Sequence, residues 1–461
     1  MVIDVDYNRL RLHRDASCNA LRYNSPSSRI IGFDGSRAFA GRRTGTENYS
    51  YQLLKNLAKI DKVNNYIVYL RPAAKQGNDW PGNFQFQVIN WPRFWTQGGL
   101  ALRTFKDCLD VLFVPAHTLP VIRRPGLKTV VTVHDLGSEY LPSMHQIKQR
   151  VYLSFMQKYQ LKTATKIIAV SKATKDNLVK KIGIDPGKIE VIYEGYDQNL
   201  FKQVKNDSLV NSLRHYNSSS LSSLRAEGLQ PKTYVSAKQK GKVLPKAGSY
   251  FLFVGTVQPR KNLERLIMAF KIFCHSGAKR SEAIESRSYK QSLSARLQLA
   301  DRSASASLQD DNLKLVIAGS KGWLSDEIYE LPKKLGIEEQ VKFLGYVAEE
   351  VLSALYSGAL ALTFPSLFEG FGLPILEAQA CGCPVLTSNV SSMPEVAGTS
   401  AGGGAIFVDP YSIDDIVKGM VEITNKDTKR RVIEAGFLNI KKFSWEKCAR
   451  ETLEVFHDFK S

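Results

Sequence analysis

Short apolar segments alternate with amphipathic helical patterns along most of this chain, and the series begins a second time after an interruption. The first series predicts strands over residues 30–34, 66–71, 86–90, 111–115, 129–134, 166–170 and 189–193. The second predicts strands over 250–255, 314–318, 341–345, 360–364, 385–388 and 405–408. Helices are predicted among them over 47–60, 146–163, 262–273, 349–357 and 413–424. Because such alternation is typical of parallel sheets covered by helices, the sequence predicts two α/β domains in tandem.

Polar, serine-rich stretches interrupt the two series and set the predicted domain boundaries. Residues 202–246 contain nine Lys or Arg against Asp207 and Glu227, which gives this stretch a net charge of +7. A second polar stretch, 275–311, separates a predicted helix from the next strand. Low hydrophobicity disfavours a packed core, so both are predicted to be flexible inserts. The predicted organisation is a flexible leader (1–28), a first domain (29–200), a basic Ser-rich insert or linker (201–249), a second domain (250–443, with the insert 275–311) and a C-terminal helix (444–461).

The net charge of +19 on 461 residues favours anionic partners, such as nucleic acids, acidic lipids or phosphorylated metabolites. The six cysteines are scattered, without the spacing of a zinc site or a disulfide framework, so free thiols are expected. The N-terminal residues lack the apolar core of a signal peptide, and no apolar run reaches the about 18 residues of a membrane span. We therefore expect a cytoplasmic protein, with peripheral contact at the inner face of the membrane as an open alternative.

The motif with the most specific chemistry reads FPSLFEGFGLPILE over residues 364–377 and follows a predicted strand. Gly370 and Gly372 allow unusual backbone angles and close approach of a ligand. Pro374 is placed to open a helix whose free N–H groups would face an anion such as a diphosphate. Glu369 in the loop and Glu377, predicted in the first helical turn, are placed to accept hydrogen bonds from sugar or ribose hydroxyls. A capped helix without a ligand is the alternative interpretation.

Two adjacent cations, Arg260 and Lys261, follow the first strand of the second domain in the segment VGTVQPRKN over residues 254–262. They are predicted at a helix N-terminus, where positive charge is unfavourable for the helix alone. An anionic ligand would relieve that cost, because arginine clamps a phosphate through two N–H groups and lysine adds a point charge. The segment therefore predicts a phosphate site, with a solvated pair on an exposed turn as the alternative.

The first domain offers weaker candidates. Gly45 and Thr46 follow its first strand at a predicted helix start, where their backbone N–H groups could approach a phosphate. The segment matches neither a Walker A motif nor GxGxxG. His134 ends an apolar strand, and His117 is a less favoured candidate of the same kind. A structural histidine and a simple helix cap are the alternatives here.

These residues resemble glycosyltransferase family 4, a family of retaining glycosyltransferases with the GT-B fold. The E-x7-E pattern of Glu369 and Glu377 carries the resemblance. Further matching segments are Gly255…Arg260-Lys261-Asn262, Val316-Ile-Ala-Gly319, Val341-Lys-Phe-Leu-Gly345, Ala380-Cys-Gly-Cys-Pro-Val385, Thr44-Gly-Thr46, Thr132-Val-His-Asp135 and Val170-Ser171. The resemblance runs from residue 29 to the end, except for the two inserts. It implies an α/β architecture of two Rossmann-like doubly wound domains facing across a cleft, with the C-terminal helix crossing back to the first.

The resemblance also assigns roles to individual residues. Arg260 and Lys261 are expected to bind the donor diphosphate and to stabilise it as a leaving group, and Glu377 to bind the ribose. Glu369 is expected to hold the transferred sugar, and His134 to lie near it as a catalytic residue. The other donor-binding residues that it implies are Gly45, Thr46, Gly345, Tyr346, Val347, Gly370, Phe371, Gly372 and Leu373. The family usually has a second glycine near Gly45, which this sequence lacks.

The implied reaction moves a hexose from a nucleotide-diphosphate sugar to a hydroxyl of a glycan or lipid-linked acceptor, with retention of anomeric configuration. It needs neither a metal nor another cofactor. Resemblance in the first domain suggests a GDP-mannose-dependent mannosyltransferase of surface polysaccharide assembly, while a UDP-linked donor stays open. One alternative is a nucleotide-sugar epimerase of similar architecture, against which the E-x7-E pattern argues. The other is a basic nucleic-acid-binding protein, but no basic motif interleaved with aromatic residues supports it.

Overall fold

The computed structural model describes residues 28–40, 45–135 except 73, 75, 76, 78, 92 and 117, and then 158–204, 246–276, 313–399 and 403–459. The described residues form two compact units, one from the part of the chain up to Gly195 together with the part from Phe443 onward, and one within Tyr196–Lys442. The predicted leader except for Ser28, nearly all of both predicted inserts, and residues 146–157 of one predicted helix lie outside the described residues.

The first unit is built on a parallel sheet whose seven described strands follow the order β3-β2-β1-β4-β5-β6-β7. The strands are β1 (Ile30–Asp34), β2 (Asn65–Leu70), β3 (Phe84–Val88), β4 (Val111–Val114), β5 (Lys128–Val133), β6 (Lys166–Ala169) and β7 (Ile189–Val191). The central strands β1 and β4 are buried along their whole length, as expected for a sheet covered on both faces. Strand β3 begins two residues before its predicted start, because Phe84 pairs with Tyr66 and stacks on its ring.

The second unit contains a parallel sheet of six described strands in the order β10-β9-β8-β11-β12-β13. They are β8 (Tyr250–Val254), β9 (Lys314–Ala318), β10 (Val341–Gly345), β11 (Ala361–Phe364), β12 (Val385–Ser388) and β13 (Ile406–Val408). In each sheet the strand order reverses beside the first strand, between β1 and β4 and between β8 and β11. The predicted pair of doubly wound parallel sheets is thus confirmed. Ligands of such sheets bind at the carboxyl ends of the strands, at the point of reversal.

Helices connect the strands in both units. They are α1 (Gly45–Ile60), α2 (Ala101–Lys106), α3 (Lys172–Asn177), α4 (Leu263–Ser276), α5 (Asp326–Lys334), α6 (Glu349–Gly358), α7 (Leu373–Ala380), α8 (Met393–Ala397), α9 (Ile413–Thr424), α10 (Lys426–Asn439) and α11 (Trp445–His457). Residues 158–163 are also helical. Among the helices of the described residues, none combines the length and apolar character that crossing a bilayer would require.

The C-terminal helix α11 packs in the first unit. Ser444 starts it, because its side chain accepts a hydrogen bond from the Lys447 N–H. Its ring contacts reach from one end to the other: Trp445 lies edge-on to Tyr49 of α1, and Phe456 lies edge-on to Phe113 of β4. Aromatic burial therefore attaches the last described helix to the first sheet, far from it in sequence.

The cysteines correct one expectation. Cys274, Cys381, Cys383 and Cys448 are free thiols, as expected. Cys108 is disulfide-bonded, so the expectation of free thiols is wrong at this position. Cysteine spacing did not predict this, because pairing depends on proximity in the fold.

Close backbone contact joins the ends of three neighbouring strands in the second unit. Gly319, just after β9, lies so close to Gly255, just after β8, that a Cβ on Gly319 would overlap with the Gly255 carbonyl oxygen. The Gly319 N–H also donates to the Gly345 carbonyl at the end of β10, at 2.7 Å. Only glycine allows this approach, which brings together three of the loops expected to bind ligand.

We expect Gly319→Ala to lower the free energy of unfolding by about 3 kcal/mol, because a Cβ pressed against backbone cannot escape by changing rotamer. Urea denaturation followed by circular dichroism would measure it. Gly82→Ala is the matched control, since open space surrounds its Cβ, and should change stability by less than about 1 kcal/mol. Equal stability of the two variants would contradict the packing argument.

Candidate active site

The two predicted phosphate-binding cations lie at the carboxyl end of β8. Arg260 and Lys261 belong to a 3₁₀ turn, Pro259–Lys261, and α4 begins only at Leu263. The helix predicted over 262–273 therefore begins one residue later than predicted, and the two cations lie just before its N-terminus. The cause is Asn262, which has a left-handed backbone (φ 61°) and so separates the 3₁₀ turn from the helix. Asparagine adopts this conformation more readily than most residues.

Asn262 also attaches the cationic turn to its neighbours. Its side-chain amide donates to the Pro365 carbonyl at 2.9 Å, just after β11, and to the Pro410 carbonyl at 2.7 Å, just after β13. The backbone adds a further link, because the Leu367 N–H donates to the Arg260 carbonyl at 2.9 Å. The loops after β8 and β11 are thus held together across the point where the strand order reverses.

Glu369 forms a compact ion cluster with both cations. Its Oε2 lies 2.8 Å from Nη1 of Arg260, and its Oε1 lies 2.5 Å from Nζ of Lys261. Arg260 Nη1 also donates to the Phe368 carbonyl at 3.1 Å. The lysine is buried, with its ammonium 5.0 Å from the centre of the Phe364 ring. Two cations and one carboxylate leave the cluster a net charge of +1 at the strand ends.

The charge of Glu369 is fixed by these neighbours. Burial alone would raise the pKa of its carboxyl, but Lys261 and Arg260 outweigh burial and lower the pKa to about 2. Since this folded-state pKa lies below the ordinary value of 4.5, the contacts of ionised Glu369 with Lys261 and Arg260 stabilise the fold above about pH 4.5. The stabilisation is lost only as the pH falls from about 4.5 towards 2, so the cluster keeps its charges across the neutral range.

Two serines hold the glycine-containing loop after β11, and sequence reasoning missed both. The Ser391 hydroxyl donates to the Glu369 carbonyl at 2.7 Å. The Ser392 hydroxyl contacts the carbonyls of Glu369 and Phe371 at 3.0 and 2.6 Å. These contacts fix the backbone on both sides of Gly370. The loop that carries Glu369 is therefore positioned before any ligand arrives.

A sequence signal for Ser392 does exist, but it points to a different role. Ser392 and Glu395 have the spacing of a helix capping box at the start of α8. In the structure the Ser392 side chain does not cap α8, because its hydroxyl is used by the Glu369 loop. The motif could have drawn attention to the position without revealing what it contacts.

Glu377 lies in α7, which begins at Leu373 after Gly372 with a left-handed backbone (φ 115°). It is the fifth residue of the helix, so the prediction that it lies in the first turn is wrong. The helix starts where Gly372 allows the chain to turn, and Pro374 occupies its second position. Glu377 accepts a hydrogen bond from the Tyr356 hydroxyl of α6 at 2.8 Å. That contact gives the partly buried carboxylate a fixed direction.

The pKa of Glu377 is raised to about 7, because burial and nearby Glu349 outweigh the hydrogen bond from Tyr356. We expect its ionised form to bind ribose hydroxyls, so affinity for a nucleoside diphosphate should fall about tenfold from pH 8 to pH 6. Calorimetric titrations across this range would measure the change. Because the pKa of Glu377 is raised in the folded state, this residue favours folding most below about pH 4.5. That contribution to stability is lost as the pH rises towards 7.

Glu377→Gln is the matched control for this pH dependence, because glutamine keeps the shape and does not titrate. Protonation of the diphosphate itself affects both proteins equally, so the difference between the two profiles isolates Glu377. Identical profiles for the parent and Glu377→Gln would contradict a ribose-binding carboxylate at this position.

The segment expected beside the donor base follows β10. Gly345 ends the strand with a left-handed backbone (φ 75°), Tyr346 is partly exposed, and Val347 is buried. Because the Gly345 carbonyl accepts from Gly319, this segment lies next to the ends of β8 and β9. It is placed at the same edge of the sheet as the cation cluster.

His134 follows β5 in the first unit and contacts an oxygen at each ring nitrogen. Its Nδ1 lies 3.2 Å from Glu194 Oε1, and its Nε2 lies 2.9 Å from the Pro115 carbonyl oxygen. Both oxygens only accept hydrogen bonds, so the ring satisfies both contacts when each nitrogen carries a proton. Burial opposes that charge, but Glu194 and Pro115 raise the pKa of the imidazole. The geometry favours an oriented cation over a proton acceptor.

The other candidates of the first unit are less defined. Gly45 and Thr46 are the first two residues of α1, and open space surrounds the position of a Gly45 Cβ. Residues 41–44 and His117 lie outside the described residues. The structure therefore brings together Arg260, Lys261 and Glu369, while His134, Gly45 and Thr46 are described only within the first unit.

Two family models match this chain. Residues 43–200 match "Glycosyltransferase Family 4", and residues 285–438 match "Glycosyl transferases group 1". The similar curated proteins include O-antigen chain mannosyltransferase B of Escherichia coli, 32% identical over 208 residues (45% of each chain). They also include O-antigen chain mannosyltransferase RfbU of Salmonella typhimurium, 25% identical over 294 residues (64% of this chain and 59% of the relative). The chain thus spans about half the length of these relatives.

Solved structures agree on the fold. Sucrose-phosphate synthase of Thermosynechococcus elongatus aligns with a TM-score of 0.63 at 17% identity, over 93% of this chain and 98% of that one. A glycosyltransferase of Rickettsia africae aligns with a TM-score of 0.58 at 15% identity, over 94% and 98%. At these identities the likeness concerns the fold alone. The two matched family segments, one almost wholly within the first unit and one within the second, cover about two thirds of the sequence. The chain belongs to the group 1 glycosyltransferases of glycosyltransferase family 4.

Proposed function

We propose that this protein is a retaining glycosyltransferase that moves a hexose from a nucleotide-diphosphate sugar to a hydroxyl of a glycan or lipid-linked acceptor. The observation that carries the proposal is the cluster of Arg260, Lys261 and Glu369 at the carboxyl ends of β8 and β11. A net positive, largely buried cluster at the point of strand reversal suits a diphosphate that leaves with growing negative charge.

The cluster supplies the chemistry that the transfer requires. As the bond between the anomeric carbon and the donor phosphate oxygen breaks, charge grows on the diphosphate, and Arg260 and Lys261 stabilise it. The acceptor oxygen bonds to the anomeric carbon on the same face, and its proton passes to the departing phosphate oxygen. Attack on that face accounts for retention. Because fixed cations neutralise the leaving group, we propose a reaction without a metal or another cofactor.

The remaining site residues position the donor in this proposal. Glu377 binds the ribose, Gly345, Tyr346 and Val347 lie beside the base, and Gly370, Phe371, Gly372 and Leu373 form the loop and helix start next to the sugar and phosphate. In the first unit, Gly45 and Thr46 approach the diphosphate. His134 is proposed to lie near the sugar, held in a fixed orientation by its contacts to Glu194 and Pro115.

For the sugar we propose mannose, donated by GDP-mannose, in the assembly of a surface polysaccharide at the cytoplasmic face of the membrane. Both relatives described above are named O-antigen chain mannosyltransferases, which supports this choice. The first unit is proposed to bind the acceptor. A cavity of about 420 Å³ at the ends of β1 and β4, lined by Asp34, Arg37, Glu47 and Arg71 among others, offers the polar groups that sugar hydroxyls require.

The test is to incubate the purified protein separately with GDP-mannose, UDP-glucose and UDP-galactose, each with and without a mannose-containing glycan acceptor. We expect GDP release from GDP-mannose that depends on the acceptor, and an α-linked product by NMR. A β-linked product would contradict retention. Faster turnover of a UDP-sugar would contradict the proposed donor but support the transfer reaction.

Epimerase activity predicts a different outcome, namely conversion of the donor sugar without an acceptor. Nucleic-acid binding predicts retention of DNA or RNA that weakens steeply with salt. Either result, in the absence of nucleoside diphosphate release from any donor, would contradict the proposed transferase.

A further inference from the structure

Large apolar side chains are exposed together in one part of the first unit. Trp91, Phe94, Leu102, Phe105 and Ile122 all face solvent, and Phe94 and Ile122 are 81% and 70% exposed. Soluble surfaces tolerate single exposed apolar residues, but a cluster of this kind marks an interaction site. None of these five residues belongs to the proposed donor site, so the proposed chemistry does not account for their exposure.

The segments that carry these side chains are joined into one surface. The Gln97 side chain donates to the Leu119 carbonyl at 3.0 Å and accepts from the Val121 N–H at 2.8 Å. The Arg124 N–H donates to the Thr104 hydroxyl at 3.1 Å. Residues 119–124 therefore run alongside the helical stretch 96–106, and Ile122 lies beside the helix that presents Leu102 and Phe105. We call the described residues of the segments 91–106 and 119–128 (all but residue 92) the docking surface.

The docking surface is strongly basic. Its two segments contain no Asp or Glu, and their cations are Arg93, Arg103, Lys106, Arg123, Arg124 and Lys128. Three of these cations make bonds within the unit: Arg103 pairs with Asp107, Arg123 donates to the Pro120 and Thr163 carbonyls, and Arg124 donates to the Asp107 and Leu109 carbonyls. Arg93, Lys106 and Lys128 are exposed. Lysine and arginine extend their charged ends past apolar neighbours, so exposed apolar side chains on the same segments as exposed cations match a layer with anionic headgroups above acyl chains.

We propose that the docking surface binds the surface of an anionic lipid bilayer. A nucleic acid would use the cations but would gain nothing from exposed Leu102 and Ile122. A second copy of this chain would bring six more cations against these six. An anionic bilayer matches both features, because the headgroups attract the cations and the acyl boundary accepts the apolar tips.

The docking surface borders a cavity of the same unit. Phe94 lines a pocket of about 280 Å³ together with Trp95, Thr96 and Gln97, and this pocket shares Arg71, Thr96 and Thr118 with the cavity assigned above to the acceptor. If the proposed function holds, docking brings the acceptor cavity beside the layer in which a lipid-linked acceptor is anchored. Lipid binding itself does not depend on that function.

The test uses the full chain and cosedimentation with vesicles of phosphatidylcholine alone or mixed with phosphatidylglycerol. The docking variant is Leu102→Ser with Ile122→Ser, which leaves the cavity residues untouched. We expect binding to mixed vesicles only, weakened about tenfold in this variant. The control, Leu324→Ser with Leu438→Ser, removes two exposed leucines from the second unit and should bind as the parent does. Circular dichroism and thermal melting confirm that each variant folds.

A charge variant provides an independent arm. Arg93→Gln with Lys106→Gln should weaken binding to mixed vesicles about tenfold, while Lys333→Gln with Lys334→Gln on α5 should not. The basic segment 202–246 is present in every protein compared. Equal binding by the docking variant and the parent would overturn the proposal, as would a parent dimer that the docking variant loses. Turnover of a soluble acceptor reports on the proposed function separately, because it requires no vesicle.

Discussion

Replacing Arg260 or Lys261 with alanine is expected to lower kcat/KM for sugar transfer by about 10²–10³-fold, as loss of one preorganised donor to a developing negative charge does. Both cations already contact Glu369 and therefore need little rearrangement when charge grows on the leaving diphosphate. Lys261 is the more buried of the two, so its ammonium acts where water screens it least. We expect its replacement to have the larger effect.

Steady-state kinetics with GDP-mannose and a soluble acceptor would measure both variants, with thermal melting as a check on folding. Lys342→Ala is the matched control, because Lys342 lies on β10 of the same unit and pairs only at the surface with Glu339. It should leave kcat/KM unchanged. The kcat/KM of Arg260→Lys should lie between those of the parent and the alanine variant. Lysine keeps the positive charge but lacks the planar guanidinium, whose several N–H groups can bond to Glu369 and a phosphate at the same time. Full activity of both alanine variants would contradict the site assignment.

The parts of this molecule that follow from local pattern were predictable. Both series of strands are visible because buried parallel strands are short continuous apolar runs, and the chemistry-bearing loops are found directly after them. Arg260, Lys261 and Glu369 could each be singled out, because cations and carboxylates at strand ends are unusual for structure alone. The two predictions that were wrong, after Asn262 and after Gly372, concern the residue at which a helix begins. Those starts depend on backbone angles that several residues compete to set.

The contacts between distant segments were not predictable. Ser391 and Ser392 hold a loop 20 or more residues away, Glu194 reaches His134 across 60 residues, and Tyr356 orients Glu377 from another helix. Serine, glutamate and tyrosine are common at such positions for many reasons, so residue type alone does not reveal the partner. The same holds for the docking surface, whose apolar residues look like ordinary core residues in the sequence and are distinguished only by their exposure.

Replacing Glu369 with glutamine is expected to separate donor binding from turnover. The change removes one negative charge, so the cluster rises from a net +1 to +2 and should bind a nucleoside diphosphate more tightly, by up to about tenfold. Turnover should nevertheless fall by about 10²-fold, because Arg260 and Lys261 lose the carboxylate that fixes their positions. Leaving two largely buried cations without it should also lower the free energy of unfolding at neutral pH by about 3 kcal/mol.

Calorimetry with GDP and UDP, steady-state kinetics and urea denaturation together test this expectation. Glu339→Gln is the matched control, since Glu339 forms an exposed pair with Lys342 and its replacement should alter none of the three measurements. Because the pKa of Glu369 is about 2, the stability difference between the parent and Glu369→Gln should stay constant from pH 8 to pH 5 and shrink only below about pH 4.5. A parallel loss of affinity and turnover would mean that Glu369 serves donor binding alone. Tighter binding with slower turnover would instead require that the carboxylate position the two cations for the departing diphosphate.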